Sequence, residues 1–137
     1  MTDTELLFKK LALIDTCVQE ILTLGQLERI DADVREQRFL EHTLQIAIQA
    51  ALDVASHVIS DLRLGEPRNN RDLFEILARC GWIPPSLIGP LRRMVGFRNV
   101  LVHGYDVVDL DVVKDIVRNH LGDLTDFVRA VRDRLRQ

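Results

Sequence analysis

The chain has 137 residues, enough for one domain with a hydrophobic core; 47% of them are hydrophobic and only 5% aromatic. A formal net charge of −3 argues against a protein that coats nucleic acid non-specifically, because phosphate neutralisation favours basic proteins, but it allows a small basic site. No apolar run is long enough to cross a membrane and no basic leader precedes the first segment, so we expect a cytoplasmic protein.

The apolar pattern of the first sixty residues predicts two helices. Apolar residues recur every three or four positions from about Asp3 to Leu24, and Gly25 is expected to end this helix. A longer helix is predicted from about Asp31 to Leu62. Opposite its apolar face runs a polar line, which indicates either a solvated face or a polar seam at a subunit interface or beside a site: His42, Gln45, Gln49, Asp53 and Ser56 or His57.

A loop rich in Gly, Pro and Asn follows at residues 63–70. We expect Asn70 to cap a short third helix from Arg71 to about Arg79, which Gly81 ends.

The remaining residues predict two more helices. Pro84 and Pro85 suit the first turn of a fourth helix, which Gly89–Pro90 should kink or restart. A last helix is capped by Asp109 or Asp111 and reaches almost to the end of the chain, with Gly122 as a weak point: its apolar stripe is Val112, Ile116, Leu124, Phe127, Val131 and Leu135. Five helices with short connections and no strand predict an all-α, up-and-down helical bundle, with residues 1–137 as a single domain.

One apolar stretch, RNVLVHGY at residues 98–105, carries four polar side chains that core packing does not require. On a helix, Arg98 and Tyr105 share one side, and Asn99 and His103 share another about 100° away. The four groups can line one cleft edge but cannot meet at one atom unless the helix end distorts, which Gly104 would allow.

These four residue types suit metal-free cleavage of RNA. Arginine matches a phosphate, histidine exchanges protons near neutral pH, asparagine can position an oxygen, and tyrosine can stack or donate its hydroxyl. The alternative from the residues alone is structural: Arg98 forms an ion pair, His103 caps the helix and Tyr105 packs.

Other polar residues give weaker signals. Asp53 could pair with Arg98 across the bundle and hold it in place. The separate histidines of the chain (His42, His57 and His120) lack metal-ligand spacing, and Cys17 and Cys80 are expected to be small core residues; we therefore expect no metal and no cofactor.

The stretch R-N-x-L-V-H-x-Y resembles the signature of the HepT-like proteins, a branch of the HEPN superfamily, in which Arg is followed after four to six residues by His-x-Tyr. The flanking LRRMVGF (91–97) and LQIAIQAALDVASH (44–57) also resemble this family, so the similarity covers about residues 36–127.

The resemblance implies a dimeric helical bundle that acts as a metal-independent ribonuclease toxin. It implies that Arg98 binds the scissile phosphate, that His103 transfers protons and that Asn99 supports them, with the motifs of two subunits meeting in the dimer cleft. It also implies an MntA-type nucleotidyltransferase antitoxin, which can transfer AMP to Tyr105. The alternative is a non-catalytic nucleotide-binding or accessory subunit of the nucleotidyltransferase.

Overall fold

A computed structural model describes residues 3–104 and 108–137, and its regular elements are helical throughout. Two 3₁₀ turns, Leu27–Arg29 and Pro85–Leu87, precede the second and fourth helices, and a π-helical segment, Ile116–His120, joins the last two. The helices are α1 (Thr4–Leu24), α2 (Val34–Leu62), α3 (Asp72–Arg79), α4 (Ile88–His103), α5 (Leu110–Asp115) and α6 (Leu121–Leu135). Since α5, the π segment and α6 follow without a break, these elements make five rods, and the predicted all-α class is confirmed.

The two long N-terminal helices begin at aspartate caps. The carboxylate of Asp3 accepts a hydrogen bond from the Leu6 N–H at 3.1 Å, so α1 starts where the pattern predicts. For α2 the cap is Asp33, whose side chain accepts from Arg35 N–H at 2.9 Å. The helix therefore begins three residues later than expected, because residues 30–32 form a turn that leads into the Asp33 cap.

Gly25 ends α1 as predicted, for a steric reason. Its N–H donates to the carbonyl oxygen of Ile21 at 3.0 Å, and a Cβ at this position would collide with that same oxygen. Only glycine lets the chain leave the helix along this path.

The short helix α3 is capped by a different asparagine from the one predicted. Asn69, not Asn70, places its Oδ1 2.9 Å from the N–H of Arg71 and 3.3 Å from that of Asp72. The Asn69 side chain folds back on the backbone two residues ahead, as in an Asx turn. At the other end, Gly81 takes the left-handed conformation with φ +79°, as a helix-ending glycine does.

Helix α4, which carries the motif, follows directly from the 3₁₀ turn at Pro85–Leu87. The Gly89–Pro90 pair neither kinks nor restarts it, because both residues lie in its first turn, where a missing proline N–H costs no intrahelical bond. Gly104 ends α4 with φ +63° and donates its N–H to the carbonyl of Val100 at 3.1 Å. The helix is therefore regular up to His103, and the chain leaves it by a left-handed turn at Gly104.

The last rod departs from regular geometry at the π segment rather than at Gly122. Asp109 is the cap, since its carboxylate accepts from Asp111 N–H at 2.9 Å. The segment Ile116–His120 widens the helix by one residue, and Gly122 follows inside regular α6. The weak point predicted at Gly122 thus lies a few residues too far along the chain.

Helix α2 packs against α1, α3 and α4, and α6 closes the bundle against α1. Phe74 of α3 and Phe127 of α6 meet edge to face with ring centroids 5.8 Å apart, and Arg132 of α6 bonds to Asp15 of α1 at 3.0 Å. Within the described ranges, no helix is long and apolar enough to cross a membrane.

Candidate active site at the end of helix α4

The C-terminal third of α4 presents its motif residues at the bundle surface. Leu91, Met94 and Val95 of the same helix are buried and dock it on the core. Arg98 lies beside this buried face and is half-buried, whereas His103 lies on the exposed face. The helix thus separates the arginine stem, which packs, from the histidine ring, which faces outward.

Arg98 and Asn99 meet although their Cα–Cβ directions differ by about 100°. The long arginine side chain bends around the helix, and its Nη1 donates to Asn99 Oδ1 at 3.0 Å. The Nε of Arg98 is buried and has no hydrogen-bond partner among the described residues. The Nη2 of Arg98 forms no hydrogen bond within the described residues and is not fully buried, so this nitrogen, rather than Nε, is the donor that a phosphate oxygen can reach.

His103 is the last residue of α4, and Gly104 then turns the chain to the left-handed conformation. His103 shares its side of the helix with Asn99, as the four-residue spacing predicts. Tyr105 lies outside the described residues, so its predicted role stays a prediction.

The predicted contact between Asp53 and Arg98 is absent from the described structure. Asp53 instead binds two other groups: Lys10 Nζ of α1 lies 3.2 Å from Oδ2, and Gln49 Nε2 lies 2.8 Å from Oδ1. The reason is that α2 turns this position towards α1, away from α4. Half-buried Gln49 and Asp53 therefore form part of a polar seam between α1 and α2, not a support for the motif.

Two of the separate histidines bind nearby carboxylates. His57 Nε2 lies 3.1 Å from Asp61, and His120 lies between Asp115 at 3.3 Å and Asp123 at 2.8 Å. Within residues 3–104 and 108–137, no group of three or more His, Cys, Asp or Glu is placed to hold a metal ion.

A cleft of about 430 Å³ opens beside the C-terminal end of α4. Its α2 side was not recognised from the sequence. Buried Glu41 there binds the exposed Arg38 at 3.5 Å, so the cleft has a charged wall. Only the four-residue spacing of Gln37 and Glu41 on one side of α2 could have indicated it. The lining residues are Gln37, Arg38, Glu41, Val100, Leu101, Gly104, Val108 and Leu110.

The chain is similar in sequence to two proteins described as nucleases. It is 32% identical over 129 residues to the mRNA nuclease HepT of Shewanella oneidensis, covering 93% of this chain and 97% of the relative. It is 31% identical over 100 residues to the tRNA nuclease HepT of Aphanizomenon flos-aquae, covering 73% of this chain and 68% of the relative.

The fold is similar to a solved toxin. The tri-AMPylated HEPN toxin of Shewanella oneidensis, in complex with its MNT antitoxin, superposes with a TM-score of 0.86 at 32% identity, covering 97% of this chain and 99% of that one. The model of the family described as ribonuclease HepT-like matches residues 14–131, which include the whole of the motif and its flanks. The chain therefore belongs to the HepT-like ribonuclease family, as its Arg98–Tyr105 signature predicted.

Proposed function

We propose that the protein is the toxin of a toxin–antitoxin pair and cuts RNA without a metal ion. The observation that carries this is the end of α4, where the half-buried Arg98 guanidinium, held by Asn99, lies five residues before the exposed His103 at the end of the same helix. The nuclease and toxin descriptions of its relatives, at about one third identity over nearly the whole chain, support the same conclusion.

The proposed reaction is an attack by the ribose 2′-oxygen on the adjacent phosphorus. A bond forms between that oxygen and phosphorus, the bond to the 5′-oxygen of the next nucleotide breaks, and a cyclic phosphate and a 5′-hydroxyl result. Negative charge develops on the phosphate oxygens, and Arg98 stabilises it through its fork of N–H donors. Asn99 Oδ1 holds that fork in place without neutralising its charge.

The reaction needs a base to take the 2′-proton and an acid to protonate the leaving 5′-oxygen. One imidazole cannot do both in the same step, so we propose that His103 of two subunits share the work across a homodimer cleft. Two apolar side chains beside the motif, Val100 at 42% and Val102 at 45% exposure, support a subunit contact here.

We further propose that a nucleotidyltransferase antitoxin of the MntA type silences the protein by transferring AMP to Tyr105. The AMPylated state and MNT partner of the similar Shewanella toxin support this. An AMP group two residues after His103 would bring a phosphodiester charge to the region where Arg98 must bind RNA, and it would compete for that cation.

The whole chain is proposed to act as one domain in the cytoplasm, where RNA is the substrate. Its buried hydrophobic side chains form one cluster, which supports a single folding unit.

The test is RNA cleavage in the presence of a chelator, combined with intact mass, for protein purified alone and after co-expression with a nucleotidyltransferase. We expect the lone protein to cut RNA, and the co-expressed protein to be inactive and heavier by one or more AMP units. Arg98→Ala and His103→Ala should each lower cleavage by about 100-fold or more while the unfolding temperature is kept.

The matched control is Arg129→Ala, since Arg129 is exposed on α6 and pairs with the exposed Asp126 at 3.6 Å. It should cut RNA as the wild type does. If neither protein preparation cuts RNA and no mass change follows co-expression, the chain is a non-catalytic accessory subunit instead.

A further inference from the structure

The exposed face of α4 extends well beyond the motif. Arg92, Gly96, Asn99 and His103 recur at spacings of four, three and four residues, so they form one line along the helix. The eleven helical steps from Arg92 to His103 span about 16 Å of helix axis, which is the length of several nucleotides in an extended strand.

Arg71 lies over the middle of this line. Its guanidinium Nη2 is 3.7 Å from the point where a Cβ on Gly96 would stand. Because Gly96 has no side chain, the arginine lies against the α4 surface between Arg92 and Asn99. Within the described ranges, the Arg71 side chain forms no hydrogen bond or ion pair. Arg71 was not selected from the sequence, since it lies 27 positions before Arg98 and belongs to the start of α3.

The acidic groups near this line are already partly neutralised. Asp72 accepts from both the backbone N–H and Nε of Arg68, each at 3.0 Å. These two hydrogen bonds are the largest causes that lower the pKa of Asp72, and the charge of Arg92 lowers it further. Glu75 is close enough to act on Arg68. The region therefore has a positive net charge, because its arginines outnumber its acids: Arg68, Arg71 and Arg92 against Asp72 and Glu75.

We propose that Arg71 and Arg92 form a track for the RNA backbone, which binds phosphates of nucleotides flanking the cleaved bond. This inference rests on the proposed ribonuclease function and adds to it the part of the substrate that lies outside the reacting nucleotides. A protein partner is less suited to the stretch from Arg92 to Gly96, because it lacks exposed large apolar side chains like those that Val100 and Val102 supply at the motif end. Binding of RNA phosphates requires only exposed cationic side chains.

The experiment uses a single-stranded RNA that the wild-type protein cuts. Arg71→Gln and Arg92→Gln are made singly and together, and KM and kcat are measured with the cleavable RNA. Affinity is measured with the same RNA carrying a 2′-deoxy group at the cut site, which lacks the attacking oxygen. The control is the double variant Lys9→Gln and Arg129→Gln, which also removes two positive charges but does so away from the line, at exposed positions of α1 and α6.

We expect the slope of log affinity against log salt to become shallower by about 0.7 for each lost contact, which is about tenfold weaker binding for the pair near 0.15 M salt. KM should rise accordingly and kcat at saturating RNA should stay unchanged. With an RNA shortened on one side of the cut, the wild type and the double variant should have the same affinity and the same KM. The control variant should match the wild type.

Two results would overturn the track. If the wild type cuts RNA and the double variant shows the same KM and salt slope, the track is absent while the proposed function stands. If the double variant binds RNA normally but is no longer AMPylated by the nucleotidyltransferase, the surface docks the protein instead. A wild type that cuts no RNA would remove both proposals.

Discussion

Replacing Asn99 by aspartate tests whether Arg98 must remain an uncompensated cation. In the structure the neutral Oδ1 of Asn99 accepts from Arg98 Nη1 at 3.0 Å. Asn99→Asp keeps the shape and the acceptor but adds a negative charge. The hydrogen bond should become stronger, and the phosphate of RNA should then meet a guanidinium that is already neutralised.

The size of the effect follows from the burial of the pair. Two unit charges about 4 Å apart attract by about 4 kcal/mol at an effective dielectric constant of 20, whereas exposed pairs are worth up to about 1 kcal/mol. Arg98 and Asn99 are both half-buried, so a value of about 1.4 to 2 kcal/mol lies between these limits. If the added carboxylate weakens the binding of the transition-state phosphate to Arg98 by this amount, kcat/KM should fall by about 10- to 30-fold.

The assay is kcat/KM for cleavage of one RNA, with thermal unfolding as a check on the fold. Gln19→Glu on exposed α1 makes the same amide-to-carboxylate change away from the motif and should leave kcat/KM unchanged. Asn99→Ala, which removes the acceptor without adding charge, should cost less than Asn99→Asp. A folded Asn99→Asp protein with wild-type kcat/KM would refute the idea that Arg98 binds the phosphate.

Three further predictions concern stability and reactivity. Gly25→Ala should lower the free energy of unfolding by about 1 kcal/mol or more in urea titration, because its Cβ would collide with the Ile21 carbonyl oxygen; an unchanged value would contradict the collision. Gly122→Ala should raise the free energy of unfolding by about 0.5–1 kcal/mol, since nothing lies within 4 Å of the new Cβ and alanine favours the helix; a lower value would show that the glycine is needed. Burial, followed by the charge of Glu20, raises the pKa of the Cys17 thiol, so a thiol reagent at neutral pH should label half-buried Cys80 first in the folded protein, and labelling in the opposite order would contradict this.

Local patterns in the sequence were enough for most of the helical architecture. Apolar spacing placed α1 to within one residue, because the pattern of Leu7, Leu11 and Ile14 depends only on the helical period. The errors occur where one residue type has several local options. Asn69 and Asn70 can both cap a helix, and only the path of the loop selects Asn69.

The last rod shows a related limit. Gly122 is a reasonable weak point by helix propensity, yet the irregular turn forms at Ile116–His120, where propensity gives no warning. There His120 is bound between Asp115 and Asp123. Helix propensity is a weak local preference, and side-chain contacts of this kind can outweigh it.

By itself, the sequence determined the all-α class and the helix that carries the motif, because these depend on the helical period, and it indicated the family through its resemblance to the HepT-like signature. Only the tertiary structure decided the partners of the polar groups: Asp53 binds Lys10, and Arg71 reaches the surface left open by Gly96. The helical period says which residues share a side of one helix, but the neighbour that this side meets depends on how whole helices pack against each other.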